Sequence, residues 1–267
     1  PSARRALRTS IAMAEKYTSK FVFPKVANLL LPLLVLSVVG AATYVPVVAT
    51  LGLSPENTDV GYQPVQPVPY SHALHVGQLG LDCRYCHTTV DEAGFAAVPP
   101  TQTCINCHAG IRTNSPALQA VRDSWETGRS IPWVKVHDLP DYAYFNHAAH
   151  VNKGVSCVSC HGRVDHMDGS GVHQVKNLSM GWCIECHRNP EHHLRPKDEV
   201  TNLGWTPADL QHAAPGTESF RVFKVLQEKY NTNDITQAML GEYLKSGEGG
   251  YKIRDHQFMT ACSTCHR

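Results

Sequence analysis

Net charge is almost absent from this chain: 24 lysines and arginines stand against 23 aspartates and glutamates, leaving +1 with histidine neutral. Without a strong basic or acidic field, nothing points to nucleic acid or to an acidic substrate. Few stretches alternate apolar and polar residues, so a strand-built core is not expected. From Val26 to Leu53 no charged side chain occurs. Not one cysteine stands outside a single repeated motif, which leaves none for a structural disulfide. The 267 residues suffice for one or two domains.

What the chain does have is metal ligands, with ten cysteines and sixteen histidines. Cys83 and Cys86 precede His87, Cys104 and Cys107 precede His108, and Cys157 and Cys160 precede His161. Cys183 and Cys186 precede His187, and Cys262 and Cys265 precede His266. All ten thiols therefore fall in five copies of C-x-x-C-H, the attachment signature of c-type haem. Two thiols two residues apart reach the two vinyl groups of one porphyrin, and the adjacent histidine lies beneath the iron as proximal ligand. Zinc ribbons use C-x-x-C pairs without requiring the histidine. A redox dithiol needs one pair in a βαβ setting, and no such setting is seen. Disulfide scaffolds have no reason to place histidine after every pair. Five covalently bound haem c groups are expected, and their planes must supply much of the hydrophobic core.

The uncharged run from Val26 to Leu53 is 28 residues long, and about 20 span a bilayer as a helix. Pro32 and Pro46 fall near its ends, where they are expected to bend or bound the helix. A cleavable signal peptide has a shorter apolar region, about 7 to 15 residues, so a retained anchor is expected over 26–53. Arg4, Arg5, Arg8, Lys16, Lys20 and Lys25 precede the run, whereas Glu56 and Asp59 follow it. This excess places residues 1–25 in the cytoplasm, as a tail or a surface-lying amphipathic helix. The rest then lies on the periplasmic side of a bacterial cytoplasmic membrane, where c-type haem is attached.

Residues 54–70 carry Pro55, Pro64, Pro67 and Pro69 and read as an extended, semi-rigid linker. An internal repeat follows. "YSHALHVGQLGLDCRYCH" and "YFNHAAHVNKGVSCVSCHG" each place an aromatic residue just before an H-x-x-H pair, then a glycine turn and a haem site, and each is followed by a second haem site. Two di-haem modules are expected, over 71–136 and 137–200, then a helical C-terminal region, 201–267, with the fifth haem. Within that region "SFRVFKVLQEKY" and "NDITQAMLGEYLKSGEG" have helical apolar spacing, with Asn233 as N-cap of the second and Gly247 at its end. The expected fold is mainly α with extensive irregular loops: a multihaem cytochrome c of c3/c7-like haem modules behind one N-terminal transmembrane helix.

A haem used only for electron transfer has both axial positions filled by protein. An H-x-x-H pair on a helical turn puts two imidazoles on one face, so His72, His75, His147 and His150 are the expected distal ligands. His137 is the candidate for the fifth, with Met167 as its main competitor and Met180, His193 and His256 behind them. His166, His173, His192 and His212 read as solvated. Trp133, Trp182 and Trp205 are expected to pack around porphyrins.

The stretches "GYQPVQPVPYSHALH", "CRYCH", "WVKVHDLPDYAYFNHAAHVNKGVSC", "CHGRVDHM", "LSMGWCIECHRNP" and "CSTCHR" resemble the pentahaem cytochrome c subunit of bacterial alternative complex III. The resemblance covers residues 60–196 and 258–267; the stretch 206–257 carries no matching motif. It implies a quinol oxidoreductase containing integral membrane quinol-binding subunits, an iron–sulfur subunit similar to molybdoenzymes, and a monohaem cytochrome c. This chain would conduct electrons from menaquinol toward a cytochrome c, another periplasmic acceptor or a terminal oxidase, with no catalytic site of its own. Two rival functions share some of these features. One is the membrane-anchored multihaem quinol dehydrogenase of nitrate and nitrite respiration, which has one fewer haem and needs one close to the bilayer. The other is a multihaem enzyme with one open iron, which needs acidic and basic residues converging on that iron, and no such constellation is visible.

Overall fold

The structure, a computed structural model, describes residues 24–52, 59–248 and 251–266. The basic tail before residue 24, and Pro55 and Glu56 of the spacer, lie outside them. The chain divides into two compact units, Pro1–Asn57 and Thr58–Arg267.

In the first unit, helix α1 runs over Ala27–Gly52 with none of its residues buried. Its 26 residues extend about 39 Å at 1.5 Å per residue, long and apolar enough to cross a bilayer. Pro32 and Pro46 lie inside the helix and do not bound it. The helix continues because each proline removes one N–H without removing the remaining ladder. Its two threonine hydroxyls are paired within it: Thr50 donates to the Pro46 carbonyl at 2.8 Å and Thr43 to the Val39 carbonyl at 3.1 Å.

The second unit is helical and looped. Among the described residues it has no strand, only an isolated bridge between Val155 and Leu194. Residues 59–70 run along the unit's own surface. Gly61 donates to the Gln174 carbonyl and Gln174 back to that of Tyr62, at 2.8 and 3.1 Å. Gln66 makes two bonds with the Val134 backbone, at 2.8 and 3.0 Å. This part of the spacer is therefore docked on its own unit by two backbone bonds and by the Gln66 side-chain amide.

Five short helices carry the five motifs: α2 Cys83–Cys86, α3 Thr101–His108, α6 Cys157–His161, α7 Met180–Arg188 and α11 Cys262–Cys265. Between them lie α4 Gln119–Thr127, α5 His147–Val151 and, beyond the fourth motif, α8 Glu218–Tyr230, α9 Gln237–Ser246 and α10 His256–Met259. A protein core gathers around α8 and α9. Leu194, Trp205, Leu210, Val222, Phe223, Leu226, Ile235, Leu240, Tyr243, Leu244 and Tyr251 form one buried cluster. Val222, Phe223 and Leu226 line one face of α8, and Leu240, Tyr243 and Leu244 one face of α9, at helical spacing.

Two expectations are corrected in this region. The cap of α9 is Thr236, whose hydroxyl accepts from Met239 N, and not Asn233, whose side chain accepts from Gln227. Both residue types cap helices, and local sequence does not choose between them. Gly247 ends α9 in the left-handed region, φ +89°, where glycine has no Cβ penalty. Trp205 belongs to this protein core, with Arg195 stacked 5.3 Å from its ring; it packs on helices and not on a haem plane.

Candidate haem centres

A helical turn puts the two thiols of C-x-x-C three residues apart on one face, with histidine at its C-terminal edge. Asp82 caps α2, accepting from Arg84 N at 2.8 Å, and Ser179 caps α7, accepting from Trp182 N at 3.3 Å. Four of the five motif histidines are oriented by backbone carbonyls. Nδ1 of His87 donates to Ala97 at 3.0 Å, that of His108 to Ile111 at 3.0 Å, that of His187 to Met259 at 2.9 Å and that of His266 to Tyr142 at 2.9 Å. Committing Nδ1 to a carbonyl selects the tautomer that leaves Nε2 as the metal-ligating atom.

Three of the four H-x-x-H histidines are held in the same way, whereas Nδ1 of His72 is buried without a hydrogen-bond partner. Nδ1 donates to Ser71 O at 2.8 Å from His75, to Gly94 O at 3.0 Å from His147, and to Asn146 O at 2.7 Å from His150. The two copies of the repeat match in detail. Tyr70 stands edge-on to His72 at 4.8 Å and stacks on His75 at 4.4 Å; Phe145 stands edge-on to His147 at 4.7 Å and stacks on His150 at 4.6 Å. His72 and His75 lie at a π-helical turn over Ala73–Gln78 and the other pair on the α-helix α5, so the copies differ in winding but share this packing.

The spacing between proximal and H-x-x-H rings is informative. With about 2 Å per metal–nitrogen bond and roughly 1 Å from nitrogen to ring centre, two imidazoles on opposite faces of one metal stand about 6 Å apart. The rings of His75 and His108 are 6.2 Å apart, those of His147 and His161 6.4 Å, and those of His150 and His187 6.1 Å. In the repeat, His72 is to His87 what His147 is to His161. His72 is held neutral to about pH 4, first by burial and next by His87 and His75, so His87 is its neighbour. Paired thiols, proximal histidines and a second histidine at axial spacing are a donor set that fits covalently attached haem. Those groups would be held by the five C-x-x-C-H motifs, closed by these four histidines.

His137 is placed differently. Its ring centre is 4.4 Å from that of His161 and nearly perpendicular to it, which leaves no room for a metal between the two. Its Nε2 is buried without a hydrogen-bond partner. Burial, then His147 and His173, lowers its pKa to about 4. The His161 pKa falls to about 3, through burial first and His137 second. Beside His266 stands the ring of Tyr142, 6.0 Å away. Met167 is buried, and its carbonyl accepts from Ala73 N at 2.8 Å, next to His72. Met180 is 63% exposed, and His166 is bound to Arg163 and Asp165 at the surface. His193 bonds Ser159 at 3.3 Å. The orienting carbonyls were not legible in the sequence, because any residue supplies one.

No family model matches this chain. One relative is 29% identical over 149 residues, covering 49% of this chain and 71% of its own length: the menaquinone reductase, multiheme cytochrome c subunit, of Nitratidesulfovibrio vulgaris. The chain is thus similar to a multihaem cytochrome c. A mostly helical, strand-poor fold organised around five C-x-x-C-H turns agrees with that likeness.

Proposed function

We propose that this chain is an electron-transfer subunit of a membrane quinol oxidoreductase, carrying five covalently bound c-type haems and no catalytic centre of its own. One observation carries this reading: three proximal histidines each face a second histidine at 6.1–6.4 Å, and the repeat supplies the fourth pair. Irons closed on both faces pass electrons and bind no substrate. When bound, haem supplies a one-electron redox couple. The chain's own residues hold it by the ten thiols, fix its axial nitrogens through carbonyl-bonded imidazoles, and exclude water with Tyr70 and Phe145. His137, expected as the fifth distal ligand, stands against His161 of the third motif, and Met167, its competitor, lies next to His72 of the first, so neither is proposed to close the haem of the last motif.

The relative's name supports the quinone-linked setting. By the same reasoning the partners are integral membrane quinol-binding subunits, an iron–sulfur molybdoenzyme-like subunit and a monohaem cytochrome c. The α1 helix is the anchor, with its N-terminal side cytoplasmic and the haem unit periplasmic. The finer assignment, alternative complex III, rests on the motif resemblance. A second reading is favoured by that same name: electrons run through the chain toward menaquinone and not away from it. A haem row conducts both ways, and the potentials of its partners set the direction.

The test is a carbon monoxide spectrum of the reduced, undenatured complex, with haems counted per chain. Five haems and no rapid CO binding are expected. His147→Ala should open the third iron to CO and convert it to high spin. Rapid CO binding to the unmodified chain would instead favour the enzyme with an open iron, and a purified chain active alone as quinol dehydrogenase would favour the nitrate-respiration type.

A further inference from the structure

The haems, numbered by motif from haem 1 to haem 5, are not adjacent in numerical order. A thioether sulfur is bonded to the porphyrin edge, so two cysteine sulfurs in contact bring two haem edges together. The Cys83 and Cys157 thiols are neighbours, each the first influence on the other. Both are seated on one backbone stretch: Cys157 N donates to Val200 O at 3.3 Å, and Cys83 Sγ approaches Thr201 O at 4.0 Å. Haem 1 therefore borders haem 3. The imidazole of His161 also feels His87 and His72, the ligands assigned to haem 1.

Haem 2 joins this row through haem 1. The Tyr70 hydroxyl bonds Cys86 and stands close to Cys104, and after burial Cys104 influences Cys86 more than Cys83 does. Asn106, between Cys104 and Cys107, bonds the Tyr85 hydroxyl, between Cys83 and Cys86, at 3.4 Å. Beyond haem 3, His193, in the turn that follows the fourth motif, bonds Ser159 between Cys157 and Cys160 at 3.3 Å, and Cys160 has Cys186 and Cys183 as its thiol neighbours. Beyond haem 4, Cys183 neighbours Cys265, and His187 is oriented by the carbonyl of Met259, just before the last motif.

We propose that the haems form one row in the order 2–1–3–4–5, with haems 2 and 5 as its ends. This rests on the five-haem reading above. Exposure supports it independently: of the ten cysteines only Cys107 and Cys262 are exposed, and they belong to the two end motifs. Each step moves one electron, oxidising the donor iron and reducing the next, with no proton or bond exchanged. A quinol or a cytochrome is the reductant or oxidant at the ends. The order places the two repeat modules head to head through their first haems.

The experiment uses the full chain with its haems attached. A pyridine haemochrome count other than five overturns the electron-carrier reading and this order with it. Given five, Cys83→Ala with Cys86→Ala removes haem 1, and Cys104→Ala with Cys107→Ala removes haem 2. Midpoint potentials are then read by spectroelectrochemistry and electron redistribution by flash reduction. Loss of haem 1, which has two neighbours, should shift two midpoints and leave one haem re-equilibrating at least tenfold more slowly. Loss of haem 2, which has one neighbour, should shift one midpoint and leave the other four as one pool. The reverse pattern is that of haems following chain order and overturns the proposal alone. Should either variant fail to mature, His72→Met and His75→Met keep all thioethers while raising the potential of one haem. His72→Met should hold electrons on haem 1, by roughly tenfold in its equilibrium with haem 2 for each 59 mV of rise, and so slow exchange between haems 2 and 3, whereas His75→Met should leave exchange between haems 1 and 3 unchanged; the opposite result overturns the order.

Discussion

The haem-bearing stretch and the haem-free stretch of the second unit solve the same problem with different material. Among the described residues, seventeen hydrophobic side chains are buried; four of them, Val68, Val121, Val151 and Met167, lie between residues 59 and 193, and the other thirteen between 194 and 251. The longer stretch has the smaller core. Ordering its backbone costs about 1–2 kcal/mol per residue, and four buried side chains at roughly 1.5–3 kcal/mol each cannot offset that. Three of its motif histidines, His108, His161 and His187, face a second histidine with ring centres 6.1–6.4 Å apart, a spacing that leaves room for a metal centre between the rings. The shorter stretch closes its own core from α8, α9 and the loops around them. One region has few buried side chains and many candidate haem ligands; the other is a conventional fold.

The sharpest way to break this contrast is to withhold haem. In chain produced without haem attachment, hydrogen exchange monitored by mass spectrometry should show residues 71–188 exchanging almost as unstructured chain, while α8 and α9 keep their protection. Equal protection across the chain would mean that the haem-bearing stretch folds on protein contacts alone.

That contrast also separates what the sequence makes legible from what it does not. Covalent attachment of haem needs Cys, Cys and His within five contiguous positions, so the five candidate sites are readable without any structure. The H-x-x-H pairs are readable because one helical turn places both rings, and the repeat extends the reading from one module to the other. What is lost is anything decided between distant segments. His137 is brought beside His161 by a loop, and nothing local to "WVKVHDLPDY" announces it. The meeting of Cys83 and Cys157 depends on the Val200–Thr201 backbone, which has no signature at all. Trp205 was misread because a large aromatic side chain packs equally well on a porphyrin or on leucines, and only the fold says which is near.

Within the conventional fold, Leu226 and Leu240 are fully buried. Leu226→Ala should cost about 2–5 kcal/mol, measured as a fall in the thermal midpoint of the holo chain, while the haem absorption spectrum below that midpoint stays unchanged. A haem spectrum that changes with it would show that the two stretches do not fold as separately as their cores suggest.

Gly241 tests the seam between them. A Cβ at this position of α9 would overlap the Glu191 carbonyl, so the helix lies directly on the turn over Pro190–His193 that follows the fourth motif. Gln237 donates to the carbonyls of Glu191 and Leu194 at 2.9 and 3.0 Å, fixing the same turn. Gly241→Ala should cost about 1–3 kcal/mol through overpacking. It should also move the midpoint of the fourth haem, because the displaced turn continues directly from α7. Stability loss without a shift in any haem potential would confine the seam's role to support.

The smallest effect expected is electrostatic and lies on the same seam. Lys245 of α9 pairs with Glu191 at 3.0 Å. Burial alone would raise the Glu191 pKa, but backbone hydrogen bonding and Lys245 outweigh it, and the net shift is downward from 4.5. The unfolded chain therefore takes up the proton first as pH falls. The pair's contribution is complete above the unfolded value of 4.5 and is lost as pH drops through the lower folded value. Both side chains are partly exposed, so solvent screening holds the contribution to about 0.5 kcal/mol, and added salt reduces it further. Other carboxylates titrate in the same range, so the readout is the difference in thermal midpoint between the unmodified chain and Glu191→Gln. That difference should be present at neutral pH and vanish in acid. A difference that persists in acid would mean that α9 is held on the turn by the Gln237 bonds and the Gly241 contact, with the ion pair contributing nothing.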